Sequence, residues 1–95
     1  MPSVGVLTLE VRLENSHSLK DKRQVVHGLK DRLRRKYNVS VAEIDCQELW
    51  QRALVAAVTV SADRRHAAQV LESVEREAAE LLGASLVAAG VEWLE

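Results

Sequence analysis

The chain has 95 residues, of which 47 % are hydrophobic and 28 % are charged, and its formal net charge is −1. These values predict one folded domain spanning residues 1–95 and exclude a disordered chain or a polycation. Cys46 is the only cysteine, which excludes an internal disulfide and a cysteine-based zinc site. No apolar stretch approaches the roughly 18–20 residues of a membrane helix, so we expect a cytoplasmic protein without a membrane partner.

The first half of the chain has the pattern of a strand, a helix and a second strand. Residues 4–14 alternate with period two and carry one apolar face, which predicts a strand covered on one side. Ser18, or alternatively Ser16, is placed to cap a helix that starts at Leu19 and ends where Asn38 adopts a left-handed conformation. Residues 39–45 predict a second strand, whose slipped alternation indicates a bulge near Glu43.

The second half repeats the pattern of strand, helix and strand. Residues 52–61 are apolar on both faces, which places this third strand in the centre of a sheet. The segment Ser61-Ala62-Asp63 caps a second helix that Gly83 ends, and residues 86–94 form the last strand. The order predicts an α+β, ferredoxin-like βαββαβ sandwich, a four-stranded antiparallel sheet with two helices on one face. The first and third strands are expected in the centre of the sheet.

Three short segments carry a resemblance to a known family. They are Ser18-Leu19-Lys20-Asp21-Lys22-Arg23, Val39-Ser40-Val41-Ala42-Glu43-Ile44-Asp45 and Leu49-Trp50-Gln51-Arg52-Ala53. In this combination the chain resembles, over nearly its whole length, the bacterial YlxP-like family, domain-of-unknown-function family 503. The resemblance implies a ferredoxin-like fold and a cytoplasmic protein with no assigned catalytic or binding residues. Members are often encoded near translation and ribosome-maturation factors, which implies an RNA context.

The first helix carries the strongest functional signal in the sequence. Residues 16–37 hold eight basic and two acidic side chains, a net charge of +6, so the rest of the chain carries −7. One flank of its apolar stripe is basic and is the candidate RNA-binding surface, formed by Lys20, Arg23, Lys30 and Arg34 beside His27. The alternative is a solvated face, or a face that docks on acids of the second helix, such as Glu72, Glu75 or Glu80.

The sheet face opposite the helices is expected to be open, smooth and partly apolar. It has no aromatic side chain for stacking bases, and it suits contact with a second copy of the chain, a homo-oligomer such as a dimer. The candidate oligomer interface consists of Val55, Ala57, Thr59 and Ala88. Leu9 and Val58 are expected instead to be buried between sheet and helices.

No catalytic, metal-binding or cofactor-binding constellation is visible. Glu43 and Asp45 share a strand face, but two carboxylates on an edge strand more often prevent aggregation than form a site. Trp50 and Trp93 are interpreted as packing residues. We expect a non-enzymatic module that binds RNA or a ribosome-associated partner and not DNA. The alternatives are an oligomerising interaction module without nucleic acid and a small-molecule regulatory domain.

Overall fold

The computed structural model describes residues 1–95, which form four strands and two long helices. In chain order the elements are β1 (Ser3–Arg12), α1 (Leu19–Lys36), β2 (Ser40–Asp45), β3 (Arg52–Ser61), α2 (Arg64–Leu82), a 3-10 turn (Gly83–Ser85) and β4 (Leu86–Trp93). The predicted βαββαβ order and the ferredoxin-like α+β fold are confirmed. Neither helix has the combination of length and apolarity needed to span a bilayer.

All strand pairs are antiparallel, and the strand order is β2-β3-β1-β4. The first and third strands are therefore central, as predicted. On β1 every second side chain is buried beneath the helices, which confirms the single apolar face seen in its sequence. The register between β2 and β3 shifts between Glu43 and Asp45, so the predicted bulge is also confirmed.

The assignment of faces on β3 is wrong. Leu7 lies directly opposite Ala57 and Leu9 opposite Val55, and directly opposed residues of antiparallel strands share one face. Val55, Ala57 and Thr59 therefore lie beneath the helices, where all three are buried. They cannot form an exposed oligomer interface. The other side chains of β3 line the uncovered face, and Val58, expected in the core, is among them.

We call this uncovered side of the sheet the open face. Its apolar members come from all four strands: Val4 and Val6 on β1, Ala42 on β2, Leu54, Ala56, Val58 and Val60 on β3, and Ala88 on β4. Val60 is 55 % exposed, and no helix packs over this side. Of the four predicted interface residues, Ala88 alone lies here, because it pairs with Glu10 on the outward side of β1.

Both helices begin at the predicted caps. The Ser18 hydroxyl accepts the backbone N–H of Asp21 at 3.1 Å, and the Asp21 carboxylate accepts the N–H of His17 at 3.0 Å. These two contacts satisfy one backbone donor of the first turn, that of Asp21, and one just before the helix, that of His17. At α2 the Asp63 carboxylate accepts the N–H of Arg65 at 3.0 Å. These local contacts fix where each helix starts.

The two helices end differently. Gly83 adopts φ 57° and ends α2, as predicted. The prediction for Asn38 is wrong, because Cys46 is the only residue other than glycine with positive φ. The chain leaves α1 through Tyr37, which has extended backbone angles.

The core lies between the inner sheet face and the helices. It is built from leucine, valine and alanine side chains of β1, β3, α1 and α2, together with Val41 of β2 and Leu13 after β1. Gly5 permits an especially close approach, since a Cβ there would lie 2.8 Å from both the Leu71 side chain and the Trp93 ring. Trp93 packs on the core as predicted, with the Arg64 guanidinium 4.4 Å from its ring centroid.

Candidate nucleic-acid interface

Apart from Arg35, which pairs with Asp31 one turn away, the basic side chains of α1 divide into three groups by position around the helix. One group faces α2, where Glu77 accepts Arg32 Nε at 2.6 Å and Lys36 Nζ at 2.8 Å. The Tyr37 hydroxyl donates to the same carboxylate at 3.2 Å. Glu77 is only 6 % exposed, although it is an acid in the buried stripe of α2. These contacts tie the two helices together through charge.

The surroundings of Glu77 shift two pKa values. The hydrogen bond from Lys36 is the largest influence and lowers the pKa of Glu77 to about 2, with further lowering from Arg32 and Tyr37 and a partial opposing effect of desolvation. The same hydrogen bond raises the pKa of Lys36 above its ordinary value. Both shifts favour the charged forms, so the contact is an ion pair at neutral pH.

Lys22 forms the second group and is fully buried. Its ammonium donates to three backbone carbonyls: those of Cys46 at 2.7 Å and Gln47 at 3.2 Å in the loop between β2 and β3, and that of Arg52 at 3.3 Å, where β3 begins. Glu43 Oε2 lies 2.9 Å from the same nitrogen and forms a salt bridge with it. Four oxygen atoms therefore surround an ammonium that carries three N–H donors. Lys22 is a structural anchor for this loop.

The third group is the cationic flank, which we define as Lys20, Arg23, Lys30 and Arg34. Three of these side chains are exposed and Lys30 is partly exposed. None forms an ion pair, whereas Lys22, Arg32, Arg35 and Lys36 all do. On a wheel of 100° per residue the flank lies across the apolar stripe from Arg32 and Lys36, so it faces away from α2.

The geometry of the cationic flank suits an extended anion. With His27 included, its members follow one another at intervals of three and four residues, which gives one basic or titratable group in each helical turn. At a rise of 1.5 Å per residue, the row from Lys20 to Arg34 spans about 21 Å. A straight row of separated charges matches several phosphates of one backbone better than a single compact ion. The alternative in which this flank docks on Glu72, Glu75 or Glu80 is not observed, because no ion pair joins them.

The two carboxylates weighed as a possible pair have separate local roles. Glu43 lies against Lys22, while Asp45 Oδ1 accepts the backbone N–H of Cys46 at 2.8 Å. No group of three His, Cys, Asp or Glu side chains in the chain could hold a metal ion together. Trp50 is 54 % exposed in the loop between β2 and β3, so its interpretation as a packing residue is wrong.

Sequence reasoning missed Lys22 and Glu77 as buried charges. A signal for Lys22 was available, because on the helical wheel it falls inside the apolar stripe between Leu29 and Val26. Glu77 likewise lies on the buried stripe of α2, beside Ala78 and Val74. A charged residue at a stripe position indicates a buried partner, although its identity depends on the tertiary fold.

Comparisons with known proteins agree with this architecture. The family model described as "Protein of unknown function (DUF503)" matches residues 4–90. The chain is 34 % identical over 71 residues to "Uncharacterized protein YlxP" of Bacillus subtilis (strain 168), covering 75 % of this chain and 77 % of that protein. The solved structure of "De novo designed protein Foldit4" has a TM-score of 0.62 and 14 % identity, with 100 % of this chain and 98 % of that chain covered.

The designed protein supports the fold alone, because its sequence identity is too low to carry more. The family model spans nearly the whole chain, and the relative from Bacillus subtilis agrees with it. The resemblance seen in the three sequence segments is thereby confirmed. The chain belongs to the DUF503 family of proteins of unknown function.

Proposed function

We propose that this protein is a non-enzymatic module that binds RNA by holding successive phosphates along the cationic flank of α1. The observation that carries the proposal is the division of basic residues on this helix. Four of them pair with acids of the chain, and the four of the cationic flank do not. Surface charges left in one straight row, rather than neutralised within the fold, attract a polyanion.

The side chains of the cationic flank indicate which part of an RNA it is expected to contact. No aromatic side chain lies among its residues, so bases have no stacking platform beside the phosphates. The proposed contact therefore reads the backbone rather than the base sequence. Binding is expected to be weak to moderate and to depend on few ionic contacts, as non-specific phosphate binding does.

Charge reversal on the flank tests this proposal. We expect a labelled single-stranded RNA of about 12 nucleotides, long enough to follow a row of about 21 Å, to bind with a Kd tighter than about 0.1 mM at low salt. Replacing Arg23 and Lys30 by glutamate should weaken binding at least about tenfold in fluorescence anisotropy, because two contacts become repulsions.

A control variant distinguishes the effect of charge on the cationic flank from the effect of the net charge of the whole protein. Arg65→Glu/Arg76→Glu changes the net charge by the same amount at two exposed α2 positions that form no ion pair. It should change the Kd by less than about threefold. Equal weakening by both double variants would contradict a role for the flank. A wild-type protein that binds no tighter than about 0.1 mM would contradict RNA binding itself.

A further inference from the structure

We propose that the open face binds a second copy of this chain, forming a two-fold dimer in which the strands of the two stacked sheets run antiparallel. The composition of the open face is the first observation that supports this dimer. The open face is apolar along β3 and at Val4 and Val6 of β1, whereas its charged side chains lie toward the two ends of the strands. Thr8 of β1, beside Ala56, is the polar residue at its centre. Valine and leucine side chains standing on an uncovered sheet are the surface that β-sandwiches bury between two sheets.

The area of the open face is suited to binding a second copy of the chain. Four strands at about 4.8 Å spacing and about eight residues at 3.4 Å give a flat footprint of about 500 Å², and side-chain relief raises the accessible area above that value. Stable interfaces bury about 600–1,000 Å² per partner, so a stacked sheet that covers the whole face reaches the lower end of this range. A single peptide strand would leave most of the apolar layer in water.

Two unpaired charges at opposite ends of the face indicate the orientation. Arg12 lies at one end of β1 and forms no ion pair, because the nearby Glu10 carboxylate is engaged with Arg52 at 3.4 Å. Glu92 lies at the other end on β4, opposite Val6, and is also unpaired. Six residues of β1 separate the two levels, a distance of about 20 Å along the strand.

A two-fold dimer can stack the two sheets in either of two orientations, and the separation of Arg12 from Glu92 distinguishes them. A two-fold axis running across the strands places the partner's Glu92 over Arg12, and the same contact then occurs twice. With sheets stacked about 10 Å apart and one strand of sideways offset, the two Cα atoms lie about 11 Å apart, within reach of both side chains. An axis along the strands would bring the two Arg12 side chains to one level, where they repel. The antiparallel arrangement is therefore favoured.

This inference is independent of the proposed RNA contact. The cationic flank lies in the helix layer, on the other side of the sheet from the open face. A dimer joined through the open faces would leave both flanks on its outer surfaces. Loss of dimerisation and loss of RNA affinity are thus separate results, and each can occur without the other.

The oligomeric state provides the first test. We expect the wild-type protein to sediment as a dimer at high micromolar concentration. Ala56→Arg, which places a charge at the centre of the open face, should produce a monomer with an unchanged circular dichroism spectrum. Ala79→Arg, on the exposed surface of α2, should remain a dimer. A monomeric wild type, or a dimer that survives Ala56→Arg, would overturn the proposal.

The orientation is tested by mixing charge variants. In the Arg12→Glu variant two acids meet at each proposed contact, and in the Glu92→Arg variant two bases meet there. The monomer–dimer equilibrium of each variant alone should therefore shift toward monomer. Their equimolar mixture should dimerise again, because every contact then joins opposite charges. A mixture that stays monomeric, or single variants that dimerise like the wild type, would overturn the antiparallel arrangement. Circular dichroism of each variant shows whether it is folded.

Discussion

Replacing Lys22 by methionine is expected to destabilise the fold by about 3–5 kcal/mol, the usual cost of removing one partner of a buried ion pair. Methionine retains a flexible stem of similar length, so packing within the apolar stripe of α1 is largely kept. The substitution removes one charge and three hydrogen bonds to the carbonyls of Cys46, Gln47 and Arg52. It also leaves the Glu43 carboxylate, 16 % exposed, without a counter-charge.

Urea unfolding followed by circular dichroism measures this loss, at one protein concentration because dimerisation would shift the midpoint. Lys20→Met is the matched control, since Lys20 is exposed and unpaired, and it should change stability by less than about 0.5 kcal/mol. The double variant Lys22→Met/Glu43→Gln should lose less than the two single losses combined, because the stranded carboxylate is gone. A loss below about 1 kcal/mol for Lys22→Met would refute the role of Lys22 as an anchor.

Two further predictions follow from the face assignment and from the ion pairs of α2. Val55→Ala should lower the free energy of unfolding by about 2 kcal/mol, because it removes buried methyl groups. Val60→Ala should lower it by less than about 0.5 kcal/mol in dilute, monomeric protein. Equal losses for the two variants in urea unfolding would contradict the corrected faces of β3. The lowered pKa of Glu77, about 2 against an ordinary 4.5, means that its contribution is complete above pH 4.5 and is lost as the pH falls toward 2. Glu77→Gln should therefore lower the Tm at neutral pH, and its difference from wild type should shrink across that window; a constant difference would contradict the ion-pair account.

The elements and their order were predictable because their signals are local. The alternation of β1 has one apolar face, and the caps at Ser18 and Asp63 lie next to the helices they begin. The bulge in β2 also left a local trace, since the slipped alternation is visible within six residues. Each of these features depends on a few consecutive side chains.

The faces of β3 were not predictable in the same way. Both sets of alternating side chains are apolar, so burial energy within the strand does not distinguish them. The register with β1 decides the matter, because it places Val55 opposite Leu9. That pairing joins residues far apart in the chain. The predicted oligomer interface was wrong for the same reason, because it depended on the assignment of the β3 faces.

The candidate site was predicted in part. The basic flank was visible from spacing alone, but the ion pairs that distinguish it from the rest of α1 were not. Arg32 meets Glu77 across 45 positions of sequence, and Lys22 meets the Cys46 carbonyl across 24. These contacts show which cations of α1 the fold neutralises and which four remain unpaired.

The salt dependence of RNA binding tests the central claim most directly. Neutralisation of four phosphates on a single strand predicts that log K falls with log salt concentration at a slope near −3, from roughly −0.7 for each contact. Arg23→Glu/Lys30→Glu should abolish most of this slope, whereas Arg65→Glu/Arg76→Glu should retain it. We expect a slope near −3 for the wild type; binding that is insensitive to salt, or a slope unchanged in the flank variant, would contradict phosphate binding by the cationic flank.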